Sequence, residues 1–97
     1  PIIRDDCIHN GHLYYLLLKN KSQREAFIKH MDKNDINCVF HYIPLHNSPF
    51  YKRYEKDISL PNTEELADRL VRLPIWLGVE NYLDFIISKT FDFFHQN

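Results

Sequence analysis

Apolar and polar positions alternate in blocks that change period several times along this chain. Residues 12–18, HLYYLLL, form an unbroken apolar and aromatic run between Gly11 and the polar Lys19-Asn20-Lys21, too short for a buried helix and expected as a central strand. Ser22-Gln23-Arg24-Glu25 matches a capping box, with Ser22 and Glu25 as the reciprocal pair. Phe27, Ile28 and Met31 then recur at helical spacing and leave Arg24, Lys29, Asp32 and Lys33 to solvent, which predicts a helix over residues 23–33 stopped by Asn34-Asp35. The β-branched and aromatic residues 37–42 predict a second strand cut short by Pro44.

Residues 47–61 carry turn signals and predict a long connection, with one helical turn after Pro49. Phe50, Tyr51 and Tyr54 are expected beneath it as a satellite core. Asn62 as N-cap, with Glu65 three residues on and the stripe Leu66, Ala67, Leu70 and Val71, predicts a helix over residues 63–70. The segment 72–76 is extended because of Pro74 and is expected at a sheet edge. Tyr82, Leu83, Ile86, Ile87, Thr90, Phe91 and Phe94 trace one face of a terminal helix. The order predicts a two-layer α/β (α+β) domain, a sheet of about three strands with helices on one face.

Composition narrows the function. The chain has 97 residues, with 12 Lys plus Arg against 13 Asp plus Glu. A net charge of -1 gives no electrostatic pull toward nucleic-acid phosphates or anionic lipid, so neither partner is expected. No apolar run approaches the ~20 residues needed to span a bilayer. Cys7 and Cys38 are far apart and form no CxxC, which fits a reducing, cytoplasmic setting. Residues 1–10, opening on Pro1, read as a leading linker of something longer, and residues 11–97 as the domain.

The chemistry concentrates in FHYIPLHNSPFY, residues 40–51. Cys38, His41 and His46 have ligand types suited to zinc, but a strand turns residues 38 and 41 to opposite faces and no fourth ligand lies nearby in sequence. A Cys/His nucleophile pair is opposed by the apolar strand around Cys38, which suits a small buried hydrophobe. Glu64 and Glu65 are accounted for by helix N-terminal charge. His41, Tyr42 and His46 remain, as groups that either satisfy their own loop or form one wall of a pocket. Trp76 is read as core or, preferably, as an anchor for a partner domain.

The set NGHLYYLLL (10–18), INCVFHYIPLHNSPFY (36–51) and LPNTEELADRLVRLPIW (60–76) resembles the carboxyl-terminal small domain of the DegT/StrS family of pyridoxal-phosphate sugar aminotransferases, nearest the branch acting on dTDP-4-keto-6-deoxyglucose. Its most specific parts are H-Y-x-P-L-H from His41 to His46 and A-x-R-L-x-R-L-P from Ala67 to Pro74. The resemblance implies a homodimeric parent that moves an amino group from glutamate to a sugar-nucleotide ketone. It also implies that the large domain holds pyridoxal phosphate on a lysine outside this chain, so that the chain alone is silent. It places His41, Tyr42 and His46 toward the keto-sugar side of the cleft. Two alternatives stay open: a stand-alone interaction module of the same fold, and a small zinc-binding domain.

Overall fold

The computed structural model describes residues 2–55 and 57–96. Strand β1 (Tyr14–Leu17), helix α1 (Lys21–Asp32), strand β2 (Val39–Phe40), the short helix α2 (Tyr51–Tyr54), helix α3 (Pro61–Arg69), strand β3 (Leu70–Leu73) and helix α4 (Leu83–His95) follow in that order, with single 3-10 turns at Leu45–Asn47 and Val79–Asn81. The three strands form one sheet in the order β1-β3-β2, each outer strand antiparallel to β3. This is the two-layer α+β architecture expected, with one rearrangement. The strand of residues 12–18, expected at the centre, is an edge, and the centre is β3, which shares only Arg72 and Leu73 with the segment 72–76 expected at the edge and takes Leu70 from the expected helix.

Pairing explains the exchange. Val71 faces Leu16 on one side and Phe40 on the other, and it is wholly buried among Phe27 and Met31 of α1. The strand stops at Leu73, before Pro74, which has no N–H to continue a ladder. Since side chains alternate, Leu16, Leu18 and Val71 lie toward the helices, whereas Tyr15, Leu17, Val39, Leu70 and Arg72 share the opposite face. That second face is apolar yet open, with Leu17 45% exposed.

Helix α1 begins two residues earlier than its capping box suggested. Asn20 is the N-cap, accepting from the Gln23 N–H at 2.9 Å, while the Gln23 side chain accepts the Lys19 N–H at 2.7 Å. The Ser22–Glu25 pairing is thus replaced by an equivalent exchange two residues upstream. At its other end, Asp35 takes a left-handed φ of 58° and the Ile36 N–H returns to the Met31 carbonyl, the closure that Asn34-Asp35 predicted. Helix α3 starts at Pro61 after Leu60, not at Thr63 after Asn62, because proline is preorganised for the first helical position.

Phe27 organises the helical layer. Its ring meets Phe93 edge-on at 5.2 Å and Phe94 at 5.9 Å, and His30 Nε2–H donates to the Lys89 carbonyl, seating α4 on α1. The apolar stripe expected on α4 therefore divides. Ile86 faces the core, joined there by Phe93 from outside the expected stripe, while Leu83, Ile87 and Phe91 line an apolar groove of about 430 Å³ against Tyr14, Leu16 and Leu73. Phe50 and Tyr54 are exposed, their tilted rings 5.0 Å apart, and of the expected satellite core only Tyr51 is half-buried. No helix among the described residues is long and apolar enough to cross a membrane.

Candidate functional site

The H-Y-x-P-L-H segment leaves the sheet at the end of β2. Only Val39 and Phe40 pair with β3, so residues 41–43 run on without strand pairing and Pro44 starts the 3-10 turn of Leu45–Asn47. The shortening from the expected 37–42 follows from β2 having a partner on one side only, with a proline soon after.

The three candidates sit in different surroundings. His46 is buried, and its Nε2–H donates to Glu64 Oε1 at 2.8 Å. The same carboxylate oxygen accepts the Leu60 N–H at 3.1 Å. Glu64 therefore does what its position at the start of α3 suggested and also tethers the histidine loop to that helix. His41 is half-buried, its Nδ1 sealed from solvent without a partner among the described residues. Tyr42 is exposed, with its ring edge-on to His41 at 4.6 Å and the Arg72 guanidinium 5.7 Å above it. His41 and Tyr42 are thus brought together on the sheet, and His46 is drawn away toward α3.

Two residues of this neighbourhood were not marked as candidates from the pattern. Arg72 had a signal, a charge inside the run Leu70-Val71-Arg72-Leu73; the pairing of Glu64 with His46, eighteen residues apart, had none.

The Glu64 carboxyl is held below its ordinary 4.5, first by the His46 hydrogen bond and then by the Leu60 N–H. A depressed carboxyl contributes stability above its unfolded value and loses it as pH falls through the folded one. Acidification from about pH 6 to about pH 3 should accordingly destabilise the native protein more steeply than Glu64→Gln. Thermal melts across that range check this, and parallel acid limbs would exclude the tether.

Cys38 is buried, and burial pushes its thiol up to about 11, which keeps it protonated near neutrality and unsuited to nucleophilic work. Among the described residues no three His, Cys, Asp or Glu side chains are placed to share a metal ion.

A groove of about 800 Å³ opens beside this region. It is lined by His12, Asn34, Asp35, Arg72, Trp76 and Tyr82, among others. Trp76 is half-exposed and leans on Tyr82 at 6.1 Å. Neither this groove nor the apolar one is lined by a lysine, so the residues present do not fit the amine that would bind pyridoxal phosphate there.

Residues 3–84 match the model of the DegT/DnrJ/EryC1/StrS aminotransferase family. The chain is 38% identical over 82 residues to an uncharacterised protein of Methanocaldococcus jannaschii, an alignment covering 78% of this chain and 21% of that protein. It is 33% identical over 76 residues to dTDP-3-amino-3,6-dideoxy-alpha-D-galactopyranose transaminase of Aneurinibacillus thermoaerophilus, covering 77% and 20%. Against the spore coat polysaccharide biosynthesis protein SpsC of Bacillus subtilis it is 29% identical over 82 residues, covering 78% and 21%. The chain spans about a fifth of the length of these curated relatives. From the match over residues 3–84, the chain belongs to the DegT/DnrJ/EryC1/StrS aminotransferase family.

Proposed function

We propose that residues 11–97 form the carboxyl-terminal small domain of a cytoplasmic, homodimeric, pyridoxal-phosphate-dependent sugar-nucleotide aminotransferase. The reaction transfers an amino group from glutamate to a dTDP-4-keto-6-deoxy-hexose for surface polysaccharide assembly. The preceding large domain holds the cofactor, which supplies the carrier for the amino group. This domain's part is to orient the sugar and exclude water, with His41, Tyr42 and His46 on the cleft side.

One observation carries the reading: surface left uncovered. The chain exposes 7912 Å², against about 5,900 Å² for a compact monomer of its mass. The excess, about 2,000 Å², is of the size that an extensive interface removes from water. Its radius of gyration is 15.9 Å, against about 13 Å for a compact domain of about 100 residues. The exposed apolar side chains include Leu17 and Val39 on the open sheet face and Leu83, Ile87 and Phe91 at the α4 groove.

The test is amino transfer from glutamate to dTDP-4-keto-6-deoxyglucose, assayed with the 97-residue chain alone and with the protein extended through its upstream reading frame. The extended protein should turn over and the chain alone should not. In the extended protein, His41→Ala should lower turnover about tenfold, the scale of a lost positioning contact, without changing the melting temperature. Transamination by the chain alone, or none by the extended protein, would refute the assignment.

A further inference from the structure

Strand β1 ends the sheet, and its outer side has no partner among the described residues. The Leu18 N–H donates to the Arg69 carbonyl across from it, so Leu16 and Tyr14 also bond inward to β3, and Tyr15 and Leu17 aim their N–H and C=O groups outward. Leu13 continues that alternation just before the strand. Edge strands are ordinarily blunted by a lysine, a proline or a bulge. Residues 13–18, LYYLLL, carry neither charge nor proline, and the register of β1 on β3 is unbroken.

The flanks limit what can pair there. The Gly11 N–H donates to His9 Nδ1 at 2.9 Å, and the Lys19 N–H to the Gln23 side chain at 2.7 Å. The outward donors left between them belong to Leu13, Tyr15 and Leu17, a set symmetric about Tyr15. An antiparallel copy of the same strand matches that set, with Tyr15 opposite Tyr15 and Leu13 opposite Leu17. Sliding the copy by two residues sets Leu13 against Lys19 or Leu17 against Gly11, whose donors are occupied. On the helical side the symmetric register brings the copy's Leu16 beside Tyr14 at the apolar groove of about 430 Å³, an aromatic and aliphatic cross-strand pair.

We propose that β1 is a self-association strand: two copies of this chain join their β1 edges antiparallel about a two-fold axis at Tyr15, and two three-stranded sheets become one continuous sheet. Residues 12–18 contain no Asp, Glu, Lys or Arg, and the net charge is -1, so like charges do not oppose the contact. The chain exposes 7912 Å², about 2,000 Å² beyond a compact monomer of its mass. A standard interface takes about 800 Å² from each partner, which leaves the rest for an upstream domain. The proposal goes beyond the reaction assigned above and needs no upstream domain.

Sedimentation equilibrium and amide hydrogen exchange of the 97-residue chain test it across a concentration series. The mass should rise from 11.8 kDa toward twice that value. The amides of Leu13, Tyr15 and Leu17 should exchange at least about tenfold more slowly in the dimer than in the monomer. Tyr15→Pro removes the central outward donor while sparing the β3 ladder, and Tyr15→Lys sets two cations opposite each other. Each should weaken dimerisation at least about tenfold, and Val39→Lys, on the open sheet face away from this edge, should leave it unchanged. A chain monomeric up to about 1 mM, or a dimer whose β1 amides exchange at the monomer rate, overturns the proposal. So does a dimer weakened by Val39→Lys but not by the Tyr15 variants. If a variant fails to fold, exchange in the unaltered chain decides. Amino transfer by the extended protein is measured separately, so failure of this contact leaves the family reaction standing, and the reverse.

Discussion

Replacing Phe27 by alanine should cost about 3–5 kcal/mol, the scale of a large aromatic removed from a core that cannot collapse around the void. Phe27 is completely buried, and it is the residue on which α1, Phe93 and Phe94 converge. Domains of this length have a total stability of ~5–15 kcal/mol, so the variant should be largely destabilised or unfolded at ambient temperature. Urea denaturation checks it: the midpoint should fall sharply with little change in slope. Phe27→Leu should lose far less, since most of the volume is retained. A loss below about 1 kcal/mol for alanine would mean that α4 is not seated on α1 as described.

Arg24→Ala should be the second most damaging change, at about 2–3 kcal/mol, the range for a lost hydrogen bond to a charged group with accompanying packing. Arg24, expected on the solvent side of α1, is instead buried: it donates from Nη1 to the Ala67 carbonyl at 2.7 Å and lies over the Phe40 ring. Ala67 is in the last turn of α3, where carbonyls lack intrahelical partners and a cation is favoured by the helix dipole. One side chain of α1 thus closes the end of α3 and shields β2. The melting temperature should drop by about 10–20 °C, given 4–8 °C per kcal/mol for a domain of this size. Arg24→Met keeps the aliphatic stem, and the difference between the two variants separates packing from charge.

The layer architecture was readable from periodicity because helical and extended spacings are local. Phe27 and Met31 announced the inner face of α1, and Pro44 and Pro74 announced the ends of strands. Which strand lies at the centre is a non-local property, and there the pattern misled. Residues 12–18 are apolar on both faces, the mark of a strand covered twice, yet Tyr15 and Leu17 lie on a face this chain leaves open. The central strand, by contrast, contains Arg72 and is only four residues long.

Helix starts shifted for a similar reason. Ser22-x-x-Glu25 and Asn20-x-x-Gln23 both offer caps, and the competition is decided by where β1 delivers the chain. At the site, the residue types of H-Y-x-P-L-H single out one segment. The partition of its histidines, one toward Arg72 through Tyr42 and the other toward Glu64, depends on where α3 and β3 come to rest.

Helix α3 passes into β3 without an intervening loop: Arg69 is the last helical residue and Leu70 the first of the strand. The junction is fixed on both sides, because the Leu18 N–H donates to the Arg69 carbonyl while Arg69 Nε–H donates to the Leu18 carbonyl. One amino acid added there would therefore find no slack to absorb it. Strand side chains alternate, so the addition would rotate Val71 out to water and drive Arg72 into the hydrocarbon interior. Length variation among related chains should accordingly avoid this seam and collect in the connection ahead of Pro61, where the backbone is exposed and answers to no ladder.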